Sequence, residues 1–140
     1  MLYGSYQHSI DKKNRVQMPA KLRENMSETL IVFKHIGEKC IAVYSEEEWA
    51  KLEEKISGLP SVENAWFVRR VYSHMALVQP DSQGRILIPQ NLVDYAELTK
   101  DVTVIGVGNH AEIWDTAAYA EAAVNEESPD IVERLKSLGF

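Results

Sequence analysis

Apolar residues along the chain fall into short blocks that are separated by turn residues and prolines. Two of these blocks, residues 15–18 and 85–88, are rich in β-forming residues and stop at Pro19 and Pro89. A proline suits the end of a strand or the first position of a helix. The pattern predicts two further strands in each half of the chain, at residues 30–34 and 40–44, and at residues 102–107 and 111–114.

The segments between these predicted strands have the residue pattern of helices. Residues 20–26 and 90–98 are predicted to form short helices. Ser45 and Glu48 have the spacing of a capping box, which starts a helix that runs to about residue 56. Its apolar face consists of Trp49, Leu52 and Ile56. Asp115 is in the corresponding capping position of the second half.

Two more helices are predicted between and after the halves. The first is a linker helix at residues 61–72. The second opens at Ser128 and Pro129 and stops at Gly139. Its apolar stripe consists of Ile131, Leu135 and Leu138. This stripe and that of the 45–56 helix could each pack on the chain's own sheet or on a neighbouring subunit.

The two halves match each other, without any gap, at an offset of 70 residues. The matched pairs are Asp11 with Asp81, Arg15 with Arg85, Pro19 with Pro89, Leu22 with Leu92, Thr29 with Thr99, Val32 with Val102, Tyr44 with Trp114, and Trp49 with Tyr119. Asn14 and Gly84 share one turn position, and both residue types tolerate positive φ. Any single pair could arise by chance, but the ordered series indicates two copies of one supersecondary unit.

Length and composition set limits on the class of protein. The 140 residues form one domain, or two half-size modules that share a core. Cys40 is the only cysteine, which excludes an internal disulfide and is typical of a reducing compartment. The start, MLYGSYQH, has no signal-peptide pattern, and no apolar run could span a bilayer. We therefore expect a cytoplasmic protein with no membrane partner.

Charge is unevenly distributed. The net charge is −6, and residues 101–140 account for all of it. Residues 1–23 carry one carboxylate, Asp11, and five cations: Lys12, Lys13, Arg15, Lys21 and Arg23. This pattern is either a solvated acidic tail with a chance basic cluster, or a polarised molecule with a basic working edge.

The sequence offers little support for catalysis. The four histidines have no metal-ligand spacing with Cys40 or with carboxylates. Gly106-Val107-Gly108 lacks the length and the lysine of a phosphate loop. No nucleophile has an evident base, and Cys40 in a strand is typical of a buried small hydrophobe. We expect a non-enzyme without cofactor or metal.

The Asp-x-x-x-Arg turns allow two interpretations. In one, aspartate shapes the turn, arginine pairs with it or with another chain, and the function is assembly. In the other, the crowded cations of the first turn are neutralised by a phosphate backbone, with release of counterions.

Three segments together are specific: MLYGSYQHSIDKKNRVQMPAKLR, DSQGRILIPQNL and VTVIGVGNHAEIW. With them the chain resembles the MraZ family of bacterial transcriptional regulators, whose gene stands at the head of the division and cell-wall gene cluster. The resemblance covers essentially the whole chain. It implies an α+β fold of two tandem AbrB-like swapped-hairpin β modules that are related by a pseudo-two-fold axis and form a small barrel-like core with flanking helices. The boundaries we expect are a first module at 1–56, a linker helix at 57–73, a second module at 74–126 and a C-terminal helix at 127–140.

The resemblance also implies a function. It predicts a ring-shaped homo-oligomer that binds direct repeats of double-stranded DNA in the promoter of its own gene cluster, in the nucleoid. The family's DNA-contacting motifs correspond here to Asp11, Lys12, Lys13, Asn14 and Arg15, and to Asp81, Ser82, Gln83, Gly84 and Arg85. The charge pattern adds Lys21 and Arg23 to this set. Asn14 stands where many members have glycine, and asparagine should preserve the turn.

The differing charges of the two turns predict a division of labour. The 11–15 turn carries three cations and one anion, while the 81–85 turn carries one of each. We therefore expect the first turn to contribute more to DNA affinity. The alternative function is a non-enzymatic oligomeric scaffold whose basic turn binds acidic protein surfaces.

Overall fold

Pairs of strands alternate with one or more short helices in the computed structural model, which describes residues 1–140. The strands are β1 Ser5–Ser9, β2 Arg15–Gln17, β3 Leu30–Lys34, β4 Ile41–Ser45, β5 Ala76–Val78, β6 Arg85–Leu87, β7 Asp101–Gly106 and β8 Ala111–Asp115. The helices are α1 Ala20–Arg23, α2 Glu46–Ser57, α3 Ala65–Tyr72, α4 Gln90–Tyr95, α5 Thr116–Ala123 and α6 Pro129–Ser137, with a 3₁₀ turn, Val124–Glu127, before α6.

The strands form two antiparallel sheets. Six of them make one sheet in the order β1-β7-β8-β4-β3-β5, and β2 and β6 pair as a separate two-stranded ribbon. The predicted α+β class is confirmed. The core is enclosed by these two sheets rather than by a closed barrel.

Most strand pairs join the two halves of the chain. The pairs β1–β7, β2–β6, β3–β5 and β4–β8 each take one strand from either half, and only β3–β4 and β7–β8 are local hairpins. Val16 lies opposite Ile86 in the ribbon, and Ala42 lies opposite Glu112 in the large sheet. Both pairs match the offset of the sequence repeat, so a pseudo-two-fold axis passes through them.

The gapless match is wrong in one strand pair. In the two hairpins Leu30 pairs with Ser45, and Val102 pairs with Asp115. Since Ser45 and Asp115 are equivalent, Val102 is the equivalent of Leu30 and not of Val32. The cause is that α4 is longer than α1, while the connection between β7 and β8 is shorter than that between β3 and β4. The two length differences cancel, so the offset between the halves is again 70 residues at β8.

The main core lies between the ribbon and the six-stranded sheet. Val16 and Ile86 point inward from the ribbon and are completely buried against sheet residues such as Val32, Val43 and Val104. Full burial of such a side chain stabilises the fold by about 1.5–3 kcal/mol. The ribbon is therefore held firmly, and its turns extend from a rigid base.

The opposite face of the large sheet is covered by helices. Trp49 of α2 and Val71 of α3 pack on β3 and β4, while Tyr119 of α5 packs on Trp114 of β8. No helix is long and apolar enough to cross a bilayer.

The predicted caps are confirmed. Ser45 accepts a hydrogen bond from the Glu48 N–H at 3.3 Å, Asp115 from the Ala118 N–H at 3.3 Å, and Ser128 from the Ile131 N–H at 3.4 Å. The linker helix begins only at Ala65, because residues 61–64 form turns in which the Asn64 side chain donates to the Pro60 carbonyl.

Candidate nucleic-acid interface

The first Asp-x-x-x-Arg turn is built around one carboxylate. The Asn14 N–H donates to the Asp11 carbonyl at 3.0 Å. The Lys13 and Arg15 N–H groups both donate to Asp11 Oδ1 at 2.9 Å, and Arg15 Nε donates to Asp11 Oδ2 at 2.7 Å. Asp11 therefore fixes both the backbone of the turn and the direction of the arginine.

The second turn repeats this geometry. The Gly84 N–H donates to the Asp81 carbonyl, and the Gln83 and Arg85 N–H groups donate to Asp81 Oδ1 at 2.9 and 3.0 Å. Arg85 Nε donates to Asp81 Oδ2 at 2.9 Å. The hydrogen bond from the backbone N–H of Arg85 is the main cause that lowers the pKa of Asp81, and the N–H of Arg15 does the same for Asp11, in both cases against an opposing effect of burial.

The fourth position of each turn needs left-handed backbone. Asn14 has φ of 60° and Gly84 has φ of 81°. Each of these residues also receives a hydrogen bond from the other half of the chain: Ile88 N–H donates to the Asn14 carbonyl at 2.8 Å, and Met18 N–H donates to the Gly84 carbonyl at 2.9 Å. The prediction that this position tolerates positive φ is confirmed.

The pairing of β2 with β6 brings the two arginines onto one surface. Arg15 lies opposite Leu87, and Gln17 lies opposite Arg85. Because side chains alternate along a strand and Val16 and Ile86 point into the core, these four residues share the outer face of the ribbon. Arg15 and Arg85 are diagonal neighbours, a relation that places Cα atoms about 7–8 Å apart. We call this surface the ribbon face: Arg15, Gln17, Arg85 and Leu87.

The ribbon face presents unused hydrogen-bond donors. The side chains of Arg15 and Arg85 are 32% and 28% exposed, and each uses only Nε within the chain. Their terminal Nη groups remain free to donate, and a guanidinium keeps its charge at any physiological pH. Leu87 is 58% exposed, which is unusual for a leucine in a strand and was not singled out from the sequence.

The lysines lie around the first turn and the helix that follows the ribbon. Lys12 and Lys13 are exposed at the tip of the first turn and form no ion pair within the chain. Lys21 is exposed on α1, beside a shallow depression lined by Tyr6 and His8 of β1.

Arg23 lies beside the second turn, although the sequence grouped it with the first. Its Nε donates to the Met18 carbonyl at 2.9 Å, and its Cζ lies 2.6 Å from where a Cβ on Gly84 would be. Gln17 Nε2 also reaches this turn and donates to the Gln83 carbonyl at 2.9 Å. The antiparallel ribbon is the reason, because it places the end of β2 next to the start of β6.

The first turn is supported in the same way from the other half. Asn14 Nδ2 donates to Gln90 Oε1 at 2.8 Å, and Gln90 follows the second proline. Each turn is thus braced by the segment that follows the ribbon strand of the other half. Ser82 and Gln83 are exposed at the tip of the second turn, in the positions of Lys12 and Lys13.

A second polar cluster lies on the opposite face of the large sheet. Glu112 Oε2 is 3.0 Å from His35 Nε2 and 3.2 Å from His110 Nε2, and Glu112 Oε1 accepts from the Trp114 indole at 3.0 Å. Sequence spacing gave no sign of this cluster, because the β4–β8 pairing brings together residues from both halves. Burial raises the pKa of Glu112, but the hydrogen bonds from His110 and Trp114 and the charge of His35 outweigh it, and the net effect is a lowered pKa.

The similarity of this chain to a known protein family also covers its two halves as separate segments. The family model described as "MraZ protein, putative antitoxin-like" matches residues 1–65 and 71–136. The chain belongs to the MraZ family.

Curated relatives match the chain from end to end. A protein named transcriptional regulator MraZ from Acetivibrio thermocellus is 43% identical over 144 residues and covers all of both chains. Proteins of the same name from Clostridium tetani and Clostridium acetobutylicum are 39% and 40% identical, again over the full length of both chains. These names describe regulators of transcription and not enzymes.

Proposed function

We propose that the chain is a sequence-specific DNA-binding regulator of transcription that places its ribbon face in the major groove. The observation that carries the proposal is the position of Arg15 and Arg85 on one outer face of a two-stranded ribbon, with their Nη groups free. The major groove of B-DNA is wide enough for a two-stranded ribbon, and arginine pairs with the O6 and N7 acceptors of guanine.

The surrounding residues suit contacts with the DNA backbone. Lys12 and Lys13 at the tip of the first turn would hold phosphates on one side, and Arg23 beside the second turn would hold them on the other. Ser82 and Gln83 are exposed at the tip of the second turn, and Lys21 is exposed on α1, so all three can donate to phosphate oxygens. Asp11, Asn14, Asp81 and Gly84 act indirectly, because they shape the turns that aim the arginines.

The ribbon face also carries two side chains that differ between the halves. Gln17 and Leu87 occupy equivalent positions on the two strands. Because Gln17 Nε2 donates to the Gln83 and Met18 carbonyls, Gln17 offers its Oε1, which can accept a hydrogen bond from the exocyclic amino group of adenine or cytosine. The apolar side chain of Leu87 suits the methyl group of thymine. The two strands of the ribbon therefore share an arginine at one position and differ at the other. Such a ribbon would favour a non-palindromic DNA site and bind it in one orientation.

A single ribbon offers few contacts, so we infer that several act together. In the proposed form, a ring of identical subunits presents one ribbon each to direct repeats in the promoter of the chain's own division and cell-wall gene cluster, within the nucleoid. Linked ribbons gain affinity through effective concentration when the spacing of the repeats matches. The net charge of −6 does not oppose this, because the carboxylates in excess lie in residues 101–140 and not at the turns.

The test is fluorescence anisotropy with labelled promoter DNA and a scrambled duplex of the same composition, at several salt concentrations. We expect preference for the promoter and a steep loss of affinity with salt. The double variant Arg15→Ala with Arg85→Ala should lose the preference, while Lys39→Ala, an exposed cation in the connection between β3 and β4, should keep it. Equal affinity for both duplexes in the parent protein, together with binding to acidic proteins through the same turns, would favour the scaffold function instead.

A further inference from the structure

Three side chains converge on the face of the large sheet opposite the ribbon, outside the candidate nucleic-acid interface. His35 lies in the connection after β3, His110 lies directly before β8, and Glu112 lies in β8. One nitrogen of each imidazole and one carboxylate oxygen lie within 4.8 Å of one another. The expectation of a protein without metal rested on residue spacing along the chain, whereas this set is assembled by pairing between the halves.

The hydrogen bonds of His110 make its Nε2 an acceptor. With the Asn109 amide assigned in this orientation, His110 Nδ1 is 2.7 Å from Asn109 Oδ1, which can only accept, so Nδ1 carries the proton of the neutral imidazole. His110 Nε2 then directs a lone pair at Glu112 Oε2, 3.2 Å away. Two acceptors that face each other need a cation between them, which is either a second proton on the imidazole or a metal ion.

His35 is held in place through its backbone, while its ring can coordinate a metal. Its carbonyl accepts hydrogen bonds from the Tyr95 hydroxyl at 2.9 Å and from Arg70 Nη2 at 3.2 Å. Its Nε2 is 3.0 Å from Glu112 Oε2, and its Nδ1 is buried with no hydrogen-bond partner. Because Nδ1 is unpaired in either tautomer, the proton can reside there, and coordination through Nε2 sacrifices no hydrogen bond of Nδ1.

The other two ligands are oriented by partners outside the cluster. Glu112 Oε1 accepts from the Trp114 indole N–H at 3.0 Å, which leaves Oε2 for the centre of the cluster. The His110 ring stacks on Tyr44 with centroids 4.7 Å apart and planes inclined by 3°, and Asn109 holds its Nδ1. Metal-binding histidines usually donate their second N–H to an oxygen in this way, which fixes both the ring and the tautomer. These side chains are thus arranged before any ion binds.

The donor set and its dimensions suit zinc. Zn²⁺ binds imidazole nitrogen and carboxylate oxygen at about 2.0–2.2 Å, so neighbouring donors of a tetrahedral site are about 3.4 Å apart. The distances from Glu112 Oε2 to the two imidazole nitrogens, 3.0 and 3.2 Å, are slightly shorter than this. The side chains of His35 and His110 are 23% and 15% exposed, so both rings can adjust and water can reach the ion.

We propose that His35, His110 and Glu112 bind one Zn²⁺ ion, with water at an open fourth position. Two imidazoles and one carboxylate are a known three-ligand set for zinc. The ion joins the connection between β3 and β4 to the connection between β7 and β8, and so links the two halves of the chain. The sheet separates this site from the ribbon face, so zinc binding stands or falls independently of DNA binding.

The first experiment measures zinc binding by calorimetry, on protein without a histidine tag that has been dialysed against a chelator. The parent should bind a single Zn²⁺ per chain. His110→Gln and Glu112→Gln should each weaken binding by more than about 100-fold, since loss of an outer partner alone costs about 10–100-fold. His8→Gln is the matched control and should bind as the parent does, because His8 lies opposite Val102 on the ribbon side of the sheet. No binding in the parent, or parent-like binding in His110→Gln, would overturn the proposal.

Thermal unfolding tests the site in the parent itself, whatever the variants do. An ion that binds only the folded chain stabilises it, so Tm should rise with zinc concentration in the parent and in His8→Gln. In His110→Gln and Glu112→Gln Tm should stay constant, and circular dichroism should show that the chelated proteins are folded. A parent Tm that does not change with zinc would contradict the site.

Cobalt identifies the ligands. Co²⁺ can replace Zn²⁺, and its visible absorption is strong with four ligands and weak with six. We expect strong visible bands without a sulfur-to-metal charge-transfer band. Cys40 is the only thiol and is completely buried, so Cys40→Ala should give the parent spectrum. A charge-transfer band that disappears in Cys40→Ala, or the weak bands of six-coordinate cobalt, would contradict the proposed ligand set.

The last experiment tests Asn109 as a positioning residue. Asn109→Ala removes the acceptor for His110 Nδ1–H and should weaken zinc binding by about 10–100-fold. Asn109→Asp keeps an acceptor oxygen and should bind zinc as the parent does. Asn109 is exposed, so the Tm of the chelated proteins should be the same for all three. Equal zinc affinity in Asn109→Ala and the parent would show that Asn109 does not set the tautomer of His110.

Discussion

At the scale of single residues, the repeated aspartate and arginine orient a side chain more than they stabilise the fold. The Arg15–Asp11 and Arg85–Asp81 pairs are both about one-third exposed on each side. Pairs of this kind typically contribute about 0–1 kcal/mol to stability. Their geometric effect is larger, because Asp11 and Asp81 each hold two backbone N–H groups and one Nε in place.

The first prediction separates the charge of Arg15 from its shape. Arg15→Lys keeps a cation but removes the planar fork that can bind two acceptors of one base. We expect promoter affinity to fall by about 1–3 kcal/mol per site, with little change for scrambled DNA. Anisotropy titrations would measure both, and thermal unfolding should show that the fold is intact. Unchanged preference for the promoter in Arg15→Lys would mean that Arg15 contacts phosphates only.

The second prediction concerns Glu112, the buried centre of the histidine cluster. Glu112→Gln should lower the free energy of unfolding at pH 7 by about 1–3 kcal/mol, because His35 and His110 lose an ionised partner. The folded-state pKa of Glu112 is lowered, so the stabilisation is present above its ordinary value of 4.5 and is lost as pH falls through the folded-state pKa. Denaturant titrations between pH 3 and pH 7 should therefore converge for parent and variant in acid.

A matched control exists in Glu97→Gln, since the pair of Glu97 with Lys39 is long, at 3.7 Å, and exposed on both sides. This variant should leave the free energy of unfolding nearly unchanged at every pH. A pH-independent difference between the parent and Glu112→Gln would show that lost packing, and not the charge of Glu112, is responsible.

At the scale of elements, the sequence predicted what is local and missed what depends on pairing between the halves. The caps at Ser45, Asp115 and Ser128 were predictable, because each signal lies within four residues of its effect. Strands β1 and β5 were not predicted, since β5 has only three residues and both lie at the edges of the large sheet.

For the candidate nucleic-acid interface, too, the sequence predicted only the local features. The motif predicted the positive φ of Asn14 and Gly84, which depends on the turn itself. It did not predict that Arg23 adjoins the second turn, nor that Gln17 and Leu87 share a face with the arginines. Those facts follow from the register of β2 against β6, where the partners are 68 to 72 residues apart in sequence.

The third prediction tests the bracing of the turns. In Gly84→Asn the new side chain tolerates the φ of 81°, but its Cβ would lie 2.6 Å from Arg23 Cζ and 2.7 Å from Gln17 Nε2, so both side chains must move. Asn14→Gly removes only the hydrogen bond to Gln90 and keeps the φ. We expect Gly84→Asn to weaken DNA binding several-fold and Asn14→Gly to change it little. Anisotropy with both duplexes measures the effect. Equal affinities for the two variants would mean that the position of Arg23 does not matter for DNA.

At the scale of the whole molecule, opposite faces of one sheet have different tasks in our proposals. The core side holds the ribbon and its turns, and the opposite side is covered by α2, α3 and α5. The charges are also unevenly distributed: cations lie at the first turn, and the excess of carboxylates lies in residues 101–140.

The last prediction concerns how the two turns share the DNA backbone. The sequence assigned three cations to the first turn and one to the second, but Arg23 beside Gly84 makes the sharing more even. Lys12→Gln with Lys13→Gln removes two phosphate contacts, and Arg23→Gln removes one. Each lost contact should flatten the dependence of log affinity on log salt by about one unit, for promoter and scrambled DNA alike.

The measurement is affinity against salt concentration for the parent, for both variants and for Lys39→Gln as a control away from the turns. Light scattering on each protein checks that the assembly is unchanged, because a broken ring would also lower the slope. If Arg23→Gln leaves the slope at the parent value while the double lysine variant lowers it, the second turn has no backbone contact of its own. The first turn would then dominate DNA affinity, as the sequence alone suggests, despite the position of Arg23.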